Sequence, residues 1–259
     1  MEIAIQSPLV KLITLHSYRL NERKLILYPK NTNMIRMTVF DMAGTTVNED
    51  NVVYKTLRKA INEAGFDFTL DQVLAEGAGK EKLQAIKSVL SVYGGIDDDS
   101  LANSIFQNFI QQLETAYDTM EILPQDNAAE LFVELKKRGI IVVLNTGYNS
   151  QTAHSLISKL GWVIGDQIDG LVTASDVSNN RPKPDMILLA MEQFHITDPQ
   201  EVLKVGDSTI DIEEGRNAGC RFNIGITTGA HTKEQLLTVA PDFILNNLLE
   251  LIPILDNAQ

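Results

Sequence analysis

The chain has 259 residues, 44% hydrophobic and 22% charged, which is enough for one large domain or two modest ones with real cores and too apolar for a disordered chain. Against 22 Lys and Arg stand 34 Asp and Glu, a net charge of -12, which excludes a broad basic face for a polyanion such as nucleic acid. The single cysteine, Cys220, makes neither an internal disulfide nor a cysteine zinc site, which points to a reducing, cytoplasmic setting, and no apolar run approaches the roughly 20 residues that span a bilayer.

Residues 1–36 mix short apolar clusters with basic residues and hold no continuous apolar segment ending in a small-residue cleavage site, so no secretory signal is expected. Met34 and Met37 stand just before the first strand pattern, and the lead reads as an extension without an assigned role. From residue 37 apolar runs ending in polar residues recur as MTVF before Asp41, IIVVLN before Thr146, GLVTA before Ser175, VLKVG before Asp207, FNIGIT before Thr228 and FILN near the end. Such runs read as parallel strands buried on both faces. Helical spacing falls between them at 128–138, 150–160, 185–194, 210–218 and 233–239. The alternation predicts an α/β fold, a doubly wound Rossmann-like parallel sheet whose ligands bind beyond the carboxyl ends of the strands. The stretch 52–120 interrupts it with four helical patterns and no strand. Inserted after the first strand, on the ligand edge, it reads as a helical cap. The expected division is an extension at 1–36, a core at 37–51 and 121–259, and a cap at 52–120.

Four motifs fall at the predicted strand ends. In VFDMAGTT, Asp41 leaves a buried strand and Gly44 permits a tight turn with inward amides, so the aspartate serves as nucleophile, metal ligand or turn cap. In LNTGYNS, Thr146 and Gly147 offer a hydroxyl and amides to an oxyanion. In NNRPKPDM, Arg181 and Lys183 precede a helix start near Pro184, badly placed for the helix dipole and well placed for a bound anion, the alternative being a solvated basic turn. In KVGDSTIDIEEGRNAG, Asp207 and Asp211 stand four apart, as a hard cation such as Mg²⁺ requires, unless they only cap.

In this order and spacing the four motifs resemble the set of the haloacid dehalogenase superfamily, over about residues 37–250. Within it the chain is similar to the phosphonatase (phosphonoacetaldehyde hydrolase) branch: the first motif reads DMAGTT, the second TGY, the third carries Arg181 where Lys is usual, and the fourth continues into EEGRNAG. The resemblance implies that Asp41 attacks phosphorus and becomes an aspartyl-phosphate. It implies Mg²⁺ held by Asp41, Asp207 and the backbone carbonyl of Ala43, with Asp211 in support. Thr146 and Arg181 would hold the phosphoryl oxygens, with Gly44, Thr45, Gly147 and Tyr148 around the substrate. The chemistry needs those cations, because a carboxylate approaching a phosphoryl dianion is repelled by about 4 kcal/mol per unit-charge pair 4 Å apart at an effective dielectric near 20. Mg²⁺ and Arg181 reverse that sign.

Ala43 stands where ordinary phosphatases of the superfamily carry a second aspartate that protonates the leaving group and activates water. Phosphonatases instead use a cap lysine that condenses with the substrate aldehyde, so that an imine accepts the electrons of the breaking carbon–phosphorus bond. In AEGAGKEKLQAI, Lys80 follows two glycines at an expected helix start and matches that lysine, and Lys82 is expected to point to a different side of the helix. Around it the pattern departs: Glu76 stands for a family Met, Leu83 for a His and Asn51 for a Cys. Tyr148 matches a family tyrosine or is a packing residue. The four histidines, His16, His154, His195 and His231, have no metal-ligand spacing, and Trp162 and Cys220 read as core.

Three functions are thus weighed. The first is Mg²⁺-dependent carbon–phosphorus hydrolysis of phosphonoacetaldehyde or a related phosphonate. The second is hydrolysis of a phosphate monoester such as phosphoglycolate or a sugar phosphate, and the third is a non-catalytic sensor of a phosphoryl ligand. The expected partner is a small phosphonate or phosphate, with no nucleic acid or membrane, and the resemblance implies a homodimer paired through the cap.

Overall fold

The run Met37–Phe40 has no polar face to offer water, and in the computed structural model of the chain, which describes residues 34–258, it forms an interior strand, β1, with all four residues buried. The expected features of the lead up to residue 33, His16 among them, lie outside the described residues. After a turn come the two-residue β2 (Val47–Asn48) and then four helices: α1 (Val52–Glu63), α2 (Leu70–Gly77), α3 (Lys82–Gly94) and α4 (Asp99–Thr119). The chain returns through β3 (Leu123–Pro124), which pairs antiparallel with β2. This ribbon forms the two-chain stem of the insert, and being two residues long it carries no sequence period.

The core then alternates as expected: α5 (Ala128–Lys137), β4 (Ile141–Thr146), α6 (Ser150–Lys159), β5 (Gly170–Thr173), α7 (Asp185–Gln193), β6 (Val202–Gly206), α8 (Thr209–Ala218), β7 (Phe222–Ile226), α9 (Lys233–Leu237), β8 (Phe243–Leu245) and α10 (Leu251–Asn257). The sheet is parallel throughout in the order β5-β4-β1-β6-β7-β8. Because side chains alternate along a strand, β1 feeds two cores. Met37 and Val39 join Val143, Val172 and the α7 residues Met186, Ile187 and Ala190. Phe40 joins Val142, Leu144, Val205 and the α5 residues Leu131, Phe132 and Leu135 on the other face.

The insert folds by helical amphipathicity. α1 buries Val53, Leu57, Ala60 and Ile61, and α4 buries Ala102, Ile105, Phe109, Leu113 and Tyr117, each a stripe at intervals of three and four. Its boundaries are chemically specified. Thr69 and Gln72 form a capping box on α2, the Asp98 side chain accepts from the Ser100 and Leu101 amides, and Gly95 closes α3 in the left-handed region. These apolar residues are continuous with one core of the sheet. Among the described residues no helix is long and apolar enough to cross a membrane.

Candidate active site

The order in which strands are added reverses around β1, with β4 on one side and β6 on the other, and there the strand ends leave a crevice. Phe40 is in register with Leu144 on one side and Val205 on the other, so the residues that follow the three strands meet at one edge. Asp41 donates its amide to the Val205 carbonyl at 2.9 Å. Asp41, Asp207 and Asp211 are buried, and carboxylate oxygens of the three lie within 4.8 Å of one another. Gly44 turns the chain beneath them at φ 78°, and a Cβ on it would lie 2.4 Å from Asp207 Oδ2, so both the angle and the space require glycine. Ala43 beside it is half-buried and brings no acid. Thr45 Oγ1 is buried with no hydrogen-bond partner among the described residues, and buried Thr146 Oγ1 accepts the Tyr148 amide at 3.2 Å.

Arg181 is the principal cation. With 1% exposure it donates Nη1 to Asp41 Oδ1 (2.6 Å), Nε to Glu214 Oε2 (2.9 Å) and Nη2 to the Asn145 carbonyl (2.9 Å) and Oδ1 (2.7 Å), and it lies 3.0 Å from Asp211 Oδ1. Lys204, in mid-strand, ties the same group together: Nζ is 3.0 Å from Asp211 Oδ1, 3.2 Å from Glu214 Oε2 and 2.5 Å from Asn145 Oδ1. Lys183 is exposed and takes no part, so of the two cations expected before α7 only Arg181 serves the site.

Burial drives the Asp41 carboxyl upward, against Arg181. Asp207 is pushed well up by burial and then by the charges of Asp41 and Asp211. Burial also opposes ionisation of Asp211, yet Arg181 and Lys204 outweigh it and hold that carboxyl low. Asp41, Asp207, Asp211 and Glu214 set four carboxylates against two buried cations, a formal excess of two negative charges. A divalent, oxygen-seeking ion fits this donor set, and its charge would offset the repulsion from Asp41 and Asp211 that adds to burial in raising Asp207.

The insert reaches the site through residues 78–81. Gly147 has its flank against the Lys80 carbonyl: a Cβ there would be 2.7 Å from that oxygen. The Gly79 amide donates to Tyr54 Oη at 2.9 Å. Here the structure separates the two lysines. Lys80 lies in the turn before α3, not on it, and its Nζ runs outward to Ser88 Oγ (3.0 Å) and Glu76 (3.8 Å). Lys82 opens the helix with its side chain buried, donates to the Lys80 carbonyl at 2.8 Å and sits 5.2 and 5.3 Å from the ring centres of Tyr54 and Tyr148. Burial pushes its ammonium down, partly opposed by the Asp41 carboxylate. The two-residue offset implied different sides of one helix, but only Lys82 belongs to the helix.

Sequence reasoning also passed over Asn145, Glu214, Glu49, Tyr54 and Tyr117. Lys204 did leave a signal, a lysine inside the apolar run VLKVG, since a cation in a doubly covered strand requires buried partners. Glu49 follows the stem strand, is 3% exposed, and accepts from the Val53 amide (2.9 Å) and Tyr117 Oη (3.1 Å). Tyr117 Oη in turn lies 2.7 Å from Tyr148 Oη. Beside them opens a cavity of about 260 Å³ between α4 and the start of α6, with Lys82, Gly147, Tyr148, Phe109, Leu113 and Tyr117 in its wall. His231 is buried, with Nδ1 accepting the Thr209 amide at 3.0 Å, while His154 and His195 are exposed. Trp162 packs edge-on against Phe132 and Cys220 is buried, as expected.

The sequence profile of the haloacid dehalogenase-like hydrolases matches residues 38–224, from β1 into β7. The chain belongs to that family. This hydrolase is 28% identical to a phosphonoacetaldehyde hydrolase of Latilactobacillus sakei, over 87% of this chain and 96% of the relative. It is 26% identical to a phosphoglycolate phosphatase of Vibrio vulnificus, over 85% and 96%. Its fold is that of a phosphonoacetaldehyde hydrolase-like protein from Oleispira antarctica, with a TM-score of 0.73 at 19% identity over 86% of this chain and 92% of the other. It is also that of a hydrolase from Pseudomonas syringae, with a TM-score of 0.75 at 22% identity over 86% and 98%.

Proposed function

We propose that this hydrolase transfers a phosphoryl group from a small carbonyl phosphonate, of the phosphonoacetaldehyde type, to Asp41 and releases it to water, with Lys82 forming a Schiff base to the carbonyl. The observation that carries this reading is the buried Lys82 amine, set between Tyr54 and Tyr148 and within the field of Asp41, in a site where Ala43 supplies no acid. Burial shifts Lys82 toward the neutral amine, the form that attacks a carbonyl. Arg181 orients the Asp41 carboxylate and offers charge to the phosphoryl oxygens, and the Thr146 and Thr45 hydroxyls donate to them. A Mg²⁺ ion held by Asp41, Asp207 and Asp211, with the Ala43 carbonyl, would supply charge neutralisation at phosphorus.

The likeness to a phosphoglycolate phosphatase supports a second reading, hydrolysis of a phosphate ester at the same aspartate. Borohydride added with phosphonoacetaldehyde and Mg²⁺, followed by peptide mass mapping, tests the first. The expected result is a reduced adduct on Lys82, absent in Lys82→Arg and retained in Lys80→Arg. Unimpaired turnover by Lys82→Arg, or faster turnover of phosphoglycolate by the wild type, would replace the first reading with the second.

A further inference from the structure

Phosphoryl transfer leaves an organic fragment that must take up a proton, whether it departs as a carbanion equivalent or as an alkoxide. In this chain Ala43 cannot give one. The structure instead holds an unbroken line of acidic groups running from the stem of the insert to the cavity beside Lys82: Glu49 Oε2 to Tyr117 Oη at 3.1 Å, and Tyr117 Oη to Tyr148 Oη at 2.7 Å. Each belongs to a different part of the fold. Glu49 follows β2, Tyr117 sits on α4 of the insert, and Tyr148 follows β4 of the core. All three are buried, and both tyrosines line the cavity with Lys82.

We propose that Glu49, acting through the hydroxyls of Tyr117 and Tyr148, stores the proton that the organic fragment takes up on leaving phosphorus. The inference rests on the phosphoryl-transfer reading above. The Tyr117 hydroxyl donates to the Glu49 carboxylate; once Glu49 is protonated the same contact turns about, and in the step the Glu49 carboxyl proton passes to the Tyr117 oxygen, the Tyr117 proton to the Tyr148 oxygen, and the Tyr148 proton to the fragment. Both tyrosines end neutral, Glu49 ends as carboxylate, and the fragment gains one proton. Water reloads the carboxyl between turnovers. The two phenols suit the part of conduits, because burial raises both well above their ordinary range and keeps them from ionising themselves.

The charged and titratable groups that face Glu49 are Lys82 and Lys55, which favour its carboxylate, and Tyr117, Tyr148 and Tyr54. Burial outweighs the two cations, and the carboxyl is lifted to about 7, where it exchanges its proton readily at neutral pH. Glu49 is a positioning residue, since it touches the fragment only through the hydroxyls. It also accepts the Val53 amide at the start of α1, a purely structural duty that glutamine can perform.

Two measurements on the Mg²⁺-loaded protein test this. In protein labelled with ¹³C at the glutamate carboxyls, the resonance missing from Glu49→Gln is expected to titrate near 7. In kinetics, the turnover of phosphonoacetaldehyde relative to p-nitrophenyl phosphate, whose nitrophenolate leaves without a proton, is expected to fall about 100-fold in Glu49→Gln and in Tyr117→Phe. The double variant should be no worse than either single one, because each cuts the same line. A Glu49 signal titrating in the ordinary carboxylate range, or equal losses on both substrates, overturns the proposal. A wild type that turns over neither compound, even with Glu49 titrating near 7, removes the phosphoryl-transfer reading and this use of the proton with it, whereas turnover of both with no selective loss in the variants overturns the proposal alone.

Discussion

Glu49→Gln should change how the stability of this hydrolase depends on pH, apart from any effect on turnover. Burial lifts the Glu49 carboxyl from 4.5 to about 7, so between those values the folded chain holds a proton that the unfolded chain releases. The folded-state value is raised, hence the group's contribution is fully present below 4.5, declines as pH rises, and is gone above about 7. A tenfold change in proton affinity corresponds to about 1.4 kcal/mol, which makes the whole effect about 3 kcal/mol and the part falling between pH 5 and pH 8 about 2.5 kcal/mol. Glutamine keeps an acceptor for the Val53 amide and has no charge to bury. Urea unfolding of both proteins at pH 5 and pH 8, with equal m-values, gives the comparison. The stability of Glu49→Gln relative to the wild type should improve by about 2.5 kcal/mol from the lower to the higher pH. An unchanged difference between the two proteins would mean that Glu49 is ionised throughout, and the reasoning from its burial would be wrong.

Gly147→Ala places a Cβ 2.7 Å from the Lys80 carbonyl oxygen, a backbone atom that cannot swing aside, so turnover should fall at least about tenfold while the melting temperature moves little. Unaltered kcat and KM would show that the 78–81 segment need not close on this strand end. Phe132 fills the space between Phe40 and Trp162, with ring centres 5.8 and 5.2 Å away, and its truncation to alanine should cost about 3–5 kcal/mol in chemical denaturation. Saturating Mg²⁺ at 100 times its dissociation constant should stabilise the wild type by about 2.7 kcal/mol, and Asp207→Asn should lose that increment, as read by thermal unfolding with and without chelator.

Much of this protein is legible in its residue order. Each sheet strand ends in a polar residue or is followed by one, because the carboxyl edge of a buried parallel sheet is where the chain meets ligand and water, and this marks Asp41, Thr146 and Asp207 in the residue order. The helical insert showed itself by a change of period, from runs to intervals of three and four. Less legible was everything set by a turn. Lys80 and Lys82 differ in placement because a non-helical segment with a left-handed Gly79 comes before α3, and a shift of a single residue at a helix start redirects a side chain. The pairing of β2 with β3 involves two residues on each side, too few to carry a pattern, yet it fixes the stem that buries Glu49.

Local order in the chain therefore determined which residues end strands, which stretch folds apart from the sheet, and which acid is missing at position 43. Tertiary structure alone decided which lysine is buried and which carboxylates share Arg181, and it alone joined Glu49 to Tyr148 across 98 intervening positions by way of α4. The physical reason is that periodicity and strand ends are properties of neighbouring residues, whereas a buried charge takes its partners from whatever distant segments the packing brings within about 3 Å.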